Sequence, residues 1–446
     1  MDEASDRNDR RTWLEVLSLH RPELRAWVLY DWAVSGWQTT ILIAIFPVFY
    51  YEVAGAGLPP GGATSRFAAA TALCVAVVAL AAPVLGAFAD RFAARKRILA
   101  ALVGAGALAT AAMALIQRAD LALATGLFAA SYISASASLV FYDALLPHVA
   151  RPGEIDRVST VGHALGYLGG GLLLALNLAW IAWPGLFGIP TTDPSAPARL
   201  AFLSVAAWWI AFSIPLFLKV SEPKPRLPDS DPGSGLAQPA LLRLGQSLRS
   251  VLGHRPAALM LGAFLIYQAG IETLLKMATI FGKEVGLDNR ALIATILLVQ
   301  FVGIPCAVLF GLLADRIGAK RSILIALGVY AVAGSLAFFL ESLAQFVALA
   351  LLVAFVRGGC QALSRSLFAR LVPAEESAAS FGLFAVCEKL AGAVGPGMFA
   401  LVVATTGSSR QAVGALVWFF VLGGVVLSRV QVRPARHEAS RSRVAG

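Results

Sequence analysis

The chain has 446 residues, 58% of them hydrophobic and only 14% charged, with a formal net charge of +10. A soluble domain is nearer half apolar and a quarter charged, so this composition excludes disorder, a secreted disulfide scaffold and an ordinary soluble enzyme. The apolar residues fall in blocks of roughly 20, enough helix to cross about 30 Å of hydrocarbon, whereas a membrane β-barrel would show alternating segments of about ten.

In chain order, residues 1–26 form a charged lead that opens Met1-Asp2-Glu3, unlike a cleavable signal peptide. Six spans follow, at 27–50, 66–89, 98–117, 121–145, 159–182 and 199–218. Residues 219–256 are the one long connection. Its first half is rich in Pro and Gly; in the second, Leu241, Leu244, Leu248 and Val251 recur at helical spacing, as in an amphipathic helix on a membrane surface. Six further spans lie at 257–281, 291–314, 322–340, 344–367, 379–404 and 411–428, ahead of a tail at 431–446. The expected fold is an all-α integral membrane protein with twelve transmembrane helices in two six-helix bundles, 27–218 and 257–430.

Of the 36 Lys and Arg residues, 27 lie in the lead, the tail and the connections after even-numbered spans or at their edges (Arg365), and six lie in the opposite connections or at their edges (Arg66). That asymmetry predicts both termini in the cytoplasm. It also accounts for the basic charge without nucleic acid. Cys74, Cys306, Cys360 and Cys387 all fall in apolar segments without CxxC pairing, so no disulfide framework, metal site or cofactor is expected. The compact connections and the lack of Asn-x-Ser/Thr sites point to a bacterial inner membrane, and a monomer is the expected state.

The two halves repeat. The connection after span 2 carries Gly86, Asp90, Arg91 and the basic run Arg95-Lys96-Arg97; that after span 8 carries Gly311, Asp315, Arg316 and Lys320-Arg321. Leu145-Leu146-Pro147 matches Leu371-Val372-Pro373, and Gly169-Gly170-Gly171 matches Gly395-Pro396-Gly397. A six-helix unit duplicated in parallel is the pattern of two-bundle secondary transporters. Asp90 and Asp315, at the ends of spans 2 and 8, can each meet a helix N-terminus or an arginine in one conformation and lose it in another. Gly86, Asp90, Arg91, Gly311, Asp315 and Arg316 are therefore the expected conformational latch.

The repeated loop resembles the G-x3-D-[RK]-x-G-x-[RK]-[RK] signature of the major facilitator superfamily; the first copy has Ala93 where that signature has Gly. Tyr30-Asp31-Trp32-Ala33, Phe141-Tyr142-Asp143-Ala144, Gly166-Tyr167-Leu168-Gly169-Gly170 and Gly358-Gly359-Cys360-Gln361-Ala362-Leu363-Ser364-Arg365-Ser366 are similar to segments of its vacuolar amino-acid effluxer subfamily and that subfamily's bacterial relatives. The chain departs from that pattern at Val34, Asp143 and Ala269. The resemblance implies a fold in which spans 1, 4, 7 and 10 line a central cavity.

All four of those spans carry a polar stripe. Span 7 has Gln268, Glu272, Lys276, Thr279 and Lys283; span 1 has Asp31, Ser35 and Gln38; span 10 has Arg357, Gln361 and Ser364; span 4 has Ser131, Ser134, Ser138 and Tyr142, with Asp143 adjacent. Span 11 adds Glu388 and Lys389, and His163 is the repeat equivalent of Lys389. Ionisable residues at this depth cost roughly 2.5–3.5 kcal/mol each, so they mark a cavity or a partner. The expected substrate contacts are Arg357, Gln361, Lys389, Glu272, Lys276, Gln268, Ser35, Gln38 and Tyr142. Glu272, Glu388, Asp31 and Asp143 are the candidates for proton coupling. With no phosphate loop in the chain, the function predicted is secondary transport driven by protons, and the resemblance implies a small polar metabolite, amino acid-like, as cargo and outward movement. A lipid or lysolipid flippase, or a sugar or organic-anion symporter, would share the same frame. A membrane enzyme would need a nucleophile or metal set that the sequence does not supply.

Overall fold

The computed structural model describes residues 19–92, 95–151, 154–189, 192–222, 249, 251–372 and 377–431. The lead up to residue 18, Leu241, Leu244 and Leu248 of the expected amphipathic helix, and the tail from residue 432 lie outside the described residues, while Val251 is helical and buried. Among the described residues, twelve long helices follow one another: α1 Pro22–Ala54, α2 Gly62–Phe92, α3 Arg95–Ala112, α4 Leu121–Val149, α5 Ile155–Ala182, α6 Ala196–Lys219, α7 Arg255–Glu284, α8 Asn289–Ile317, α9 Ala319–Ala337, α10 Leu343–Ala369, α11 Ser377–Thr406 and α12 Ser409–Ser428. Most run a few residues past the predicted spans, because a helix that satisfies its own backbone can continue through the interfacial layer. Leu73, Leu80, Leu218, Leu401 and Trp418 are exposed around the outside, as side chains facing lipid would be.

Helix pairing repeats between halves. In the first bundle α1 packs on α5 and α6, α3 on α4 and α6, and α2 on α4; in the second, α7 packs on α11 and α12, α9 on α10 and α12, and α8 on α10. The bundles meet along two seams, α2 with α11 and α5 with α8. Internal bonds repeat as well. The Tyr30 hydroxyl donates to Ser138 Oγ at 2.6 Å, joining α1 to α4, and the Tyr267 and Ser364 hydroxyls bond at 2.6 Å, joining α7 to α10. Tyr30 and Tyr267 are 237 residues apart, a fourth repeat match.

Both helix ends are prepared. On the face opposite the chain termini, Asp120, Asp288, Ser342 and Ser408 cap the starts of α4, α8, α10 and α12. On the terminal face, Lys96 at the start of α3 donates to the Phe217 carbonyl at 3.0 Å and to the Val220 carbonyl, at the end of α6. Lys320 at the start of α9 does the same for α12, donating to the Ser428 and Val430 carbonyls, each at 2.7 Å. The basic run of the repeated loop thus caps the last helix of its own bundle. The side chains of Gly86, Asp90, Arg91, Gly311 and Asp315 lie outside the described residues; Arg316 is exposed.

α1 is wound wider than an α-helix over Gln38–Ala44, with Ile45 N–H reaching the Thr40 carbonyl at 2.8 Å. Pro47 has no N–H to offer the Ile43 carbonyl four residues earlier. Thr279 of α7 supplies the missing donor, its hydroxyl lying 2.5 Å from that carbonyl.

Candidate functional site

A cavity of about 450 Å³ lies between the bundles, bordered by α1, α2, α4 and α5 on one side and α7, α8, α10 and α11 on the other. Of the expected substrate and coupling residues, Asp31, Ser35, Gln38, Tyr142, Asp143, Glu272, Lys276, Arg357, Gln361, Glu388 and Lys389 all line it. Four carboxylates and four Lys or Arg cations stand among the described lining residues, so the walls are balanced in charge. The cavity widens toward the terminal face, where Asp143, His163, Arg365 and Lys389 are exposed.

Gln268 is the expected contact that does not reach the cavity. It is buried, 1% exposed, and its Nε2 donates to Glu272 Oε1 at 3.3 Å. Each four-residue step along a helix of 3.6 residues per turn drifts about 40°. From Gln268 to Lys276 the polar row of α7 therefore turns by about 80°. Glu272 and Lys276 face the cavity, while Thr279 and Lys283, farther along the helix toward the opposite face, meet α1. Lys276 Nζ lies 3.0 Å from Glu272 Oε2, and Gly392 on α11 leaves room for it, since a Cβ there would stand 3.3 Å from Nζ. Arg365 Nη2 lies 3.5 Å from Glu388 Oε2. Arg357 forms part of the wall between this cavity and an apolar one of about 100 Å³ inside the second bundle, lined by Met277, Phe281, Phe346, Val353 and Phe399 among others.

Some lining residues were not singled out by the stripes: Thr39, Tyr132, Gln300 and Arg365. The offset of 237 residues pairs Asp31 with Gln268, Ser35 with Glu272 and Thr39 with Lys276. That register would have placed Thr39 on the cavity wall. It is masked because the chain between the first two helices of a unit is 12 residues longer in the first half, which shifts the offset to 225 by span 2.

The cavity is closed on the opposite face. Lys283 Nζ pairs with Glu52 Oε1 at 2.7 Å, and Asn289 Nδ2 donates to Glu52 Oε2 at 2.6 Å. Glu284 Oε2 accepts from Thr64 of the first bundle and Ser409 of the second, each at 2.6 Å. Nearer mid-membrane, Gln300 Nε2 donates to Thr39 Oγ1 at 3.2 Å.

Comparisons with known proteins agree with this arrangement. The profile of the vacuole effluxer Atg22-like family matches residues 62–440. The chain is 32% identical over 411 residues to the uncharacterized MFS-type transporter YxiO of Bacillus subtilis, covering 91% of this chain and 94% of that protein. It is 26% identical over 316 residues to autophagy-related protein 22 of Yarrowia lipolytica, spanning 65% of this chain but only about half (52%) of that fungal relative. Among solved structures, a mutant of the nucleoside transporter NupG superposes with a TM-score of 0.68 at 13% identity, covering 92% of this chain and 100% of that one. A bacterial homologue of the lysosomal transporter Spinster, in an inward-facing and unoccupied conformation, gives 0.64 at 15% identity, covering 93% and 98%. At those identities the structural likeness speaks to the fold. The sequence matches, which cover most of this chain, place it as a multi-pass membrane protein of the vacuole effluxer Atg22-like family, among the MFS-type transporters.

Proposed function

We propose that the protein is a secondary active carrier of a small polar metabolite, amino acid-like in its charges, moved outward by alternating access and coupled to protons. The observation that carries this reading is the balanced cavity between the bundles. Arg357 and Lys389 suit an anionic group, Glu272 suits a cationic one, and the equal count of charges favours a solute of no net charge. Ser35, Gln38 and Gln361 would supply neutral hydrogen bonds, with Lys276 holding Glu272 in place. The Lys and Arg asymmetry makes the terminal face cytoplasmic, in an inner membrane of bacterial type, so the closed gate at Glu52 and Glu284 would face outward.

Size argues against a lipid cargo. The cavity between the bundles, at about 450 Å³, falls within the usual 300–1,000 Å³ of a small-molecule site. The apolar side cavity of about 100 Å³ is smaller than the roughly 150 Å³ that takes benzene, too small for an acyl chain. Reconstitution into proteoliposomes with labelled amino acids and an imposed pH gradient tests the reading. Flux that follows the gradient and is lost in Arg357→Ala is expected. Flux of lysophospholipid but not of amino acids would overturn it.

A further inference from the structure

Four of the second bundle's cavity charges are paired: Glu272 with Lys276, and Glu388 with Arg365. The first bundle has a different arrangement. Asp31 is 9% exposed and lines the cavity. Its Oδ1 accepts a long bond from Ser35 Oγ at 3.4 Å, while its Oδ2 is buried with no hydrogen-bond partner. The Tyr142 hydroxyl is likewise buried and unpartnered. Both oxygens converge on Gly162 of α5, where a Cβ would stand 3.5 Å from Asp31 Oδ2 and 3.6 Å from the Tyr142 hydroxyl. Buried polar atoms without partners are costly enough that each asks for an occupant. Tyr142 cannot easily turn away, because its ring stacks on Trp27 at 4.2 Å and leans on Tyr30 at 4.9 Å.

His163 supplies the route in. Its side chain is 65% exposed toward the cavity, and its Nδ1 lies 3.7 Å from Asp31 Oδ2 and 2.9 Å from the Ser159 carbonyl. A small ring rotation exchanges one acceptor for the other. The repeat equivalent of Asp31 is Gln268, which cannot titrate, so the arrangement belongs to the first bundle alone.

We propose that Asp31, Tyr142 and His163 form the site of the coupling proton, on the first-bundle wall of the same cavity and distinct from the Arg357, Lys389 and Glu272 side chains that receive the substrate's charges. This rests on reading the chain as a proton-coupled carrier and assigns the coupling to Asp31 rather than Glu272 or Glu388. A proton from water adds to His163 Nε2 and gives the imidazolium. The Nδ1 proton then passes to Asp31 Oδ2, leaving neutral imidazole protonated at Nε2 and a neutral carboxylic acid. Once the carboxyl is protonated, the Tyr142 hydroxyl, unpartnered in this conformation, would bond it. Asp143, Tyr30, Lys389, Arg365, Glu388, Glu272 and Lys276 also face this part of the cavity or border it, and they set the field in which the transfer occurs.

Infrared difference spectroscopy of the full chain in liposomes, titrated between about pH 5 and 8, reads the carboxyl directly and needs no substrate. A protonated-carboxyl signal that grows on acidification should be lost in Asp31→Asn and kept in Glu388→Gln. Its pH midpoint should move in Tyr142→Phe, which keeps the stacked ring, and in His163→Gln. A signal that persists in Asp31→Asn, or a midpoint unmoved in both other variants, overturns the proposal. In proteoliposomes with a labelled amino-acid mixture, the ratio of gradient-driven accumulation to gradient-free exchange should fall at least tenfold in Asp31→Asn, and an unchanged ratio also overturns it. Wild-type protein that exchanges none of the mixture would overturn the amino-acid reading instead, while the infrared result still decides the proton site.

Discussion

Lys276 is 7% exposed, and Glu272 is its ion-pair partner one turn away. Removing one member of such a pair leaves the other charged and dry, at a cost of roughly 3–5 kcal/mol, whereas an apolar replacement of both is often neutral. Glu272→Gln should therefore lower the thermal stability of the detergent-solubilised protein by about 3 kcal/mol, and Glu272→Gln with Lys276→Met should recover most of it. A double variant no more stable than the single one would contradict the pairing. At the terminal face, the Arg151 backbone N–H and then the Arg21 guanidinium hold the Glu154 carboxyl below its ordinary range. A carboxyl depressed by folding stabilises above its unfolded value and loses that contribution as pH falls through its folded one. Acidification below about pH 4 should free the start of α1 from that of α5, seen as faster amide exchange around residues 21–25. The ion pair on α7 was legible in the sequence because two charges at i and i+4 share a face. Gln268 misled because the row drifts, and the Asp31 site was obscured because its neighbours Gly162 and His163 come from another helix and matter by position rather than by pattern.

Close helix approach depends on glycines set opposite backbone. A Cβ on Gly395 of α11 would run into the Ala269 carbonyl and the Thr273 hydroxyl of α7. Gly395→Ala should force those helices apart and cost at least about 1–3 kcal/mol. Gly104→Ala on α3, where a Cβ meets open space, should be neutral or stabilising by up to about 1 kcal/mol; thermal unfolding of the two side by side checks both. The spans and their repeat could be read from hydropathy and spacing because lipid forces each helix to be long and apolar. The capping role of Lys96 and Lys320 could not. A basic residue after a span reads only as an orientation signal until the chain brings the end of α6 or α12 beside it.

Taken whole, the side-chain bonds between the bundles among the described residues are concentrated on one face. Glu52, Lys283, Asn289, Thr64 and Glu284 bridge the bundles there, while the cavity reaches the other face. Removing contacts worth about 1.4 kcal/mol shifts such a two-state balance about tenfold. Spin labels at positions 60 and 290, on the two sides of this gate, should report a longer-distance population that rises about tenfold in Lys283→Ala with Glu284→Ala. No change in the distance distribution would remove these residues from the gate. The pairing at Ile43 adds a further condition to that movement. Because Pro47 has orphaned the Ile43 carbonyl and a side chain across the seam satisfies it, separation of the bundles leaves an acceptor unpaired beside the cavity until a water molecule arrives or the local turn tightens. Hydration at that one peptide would then have to accompany swinging of the helices, which ties the wetting of the crevice beside residue 43 to the opening movement.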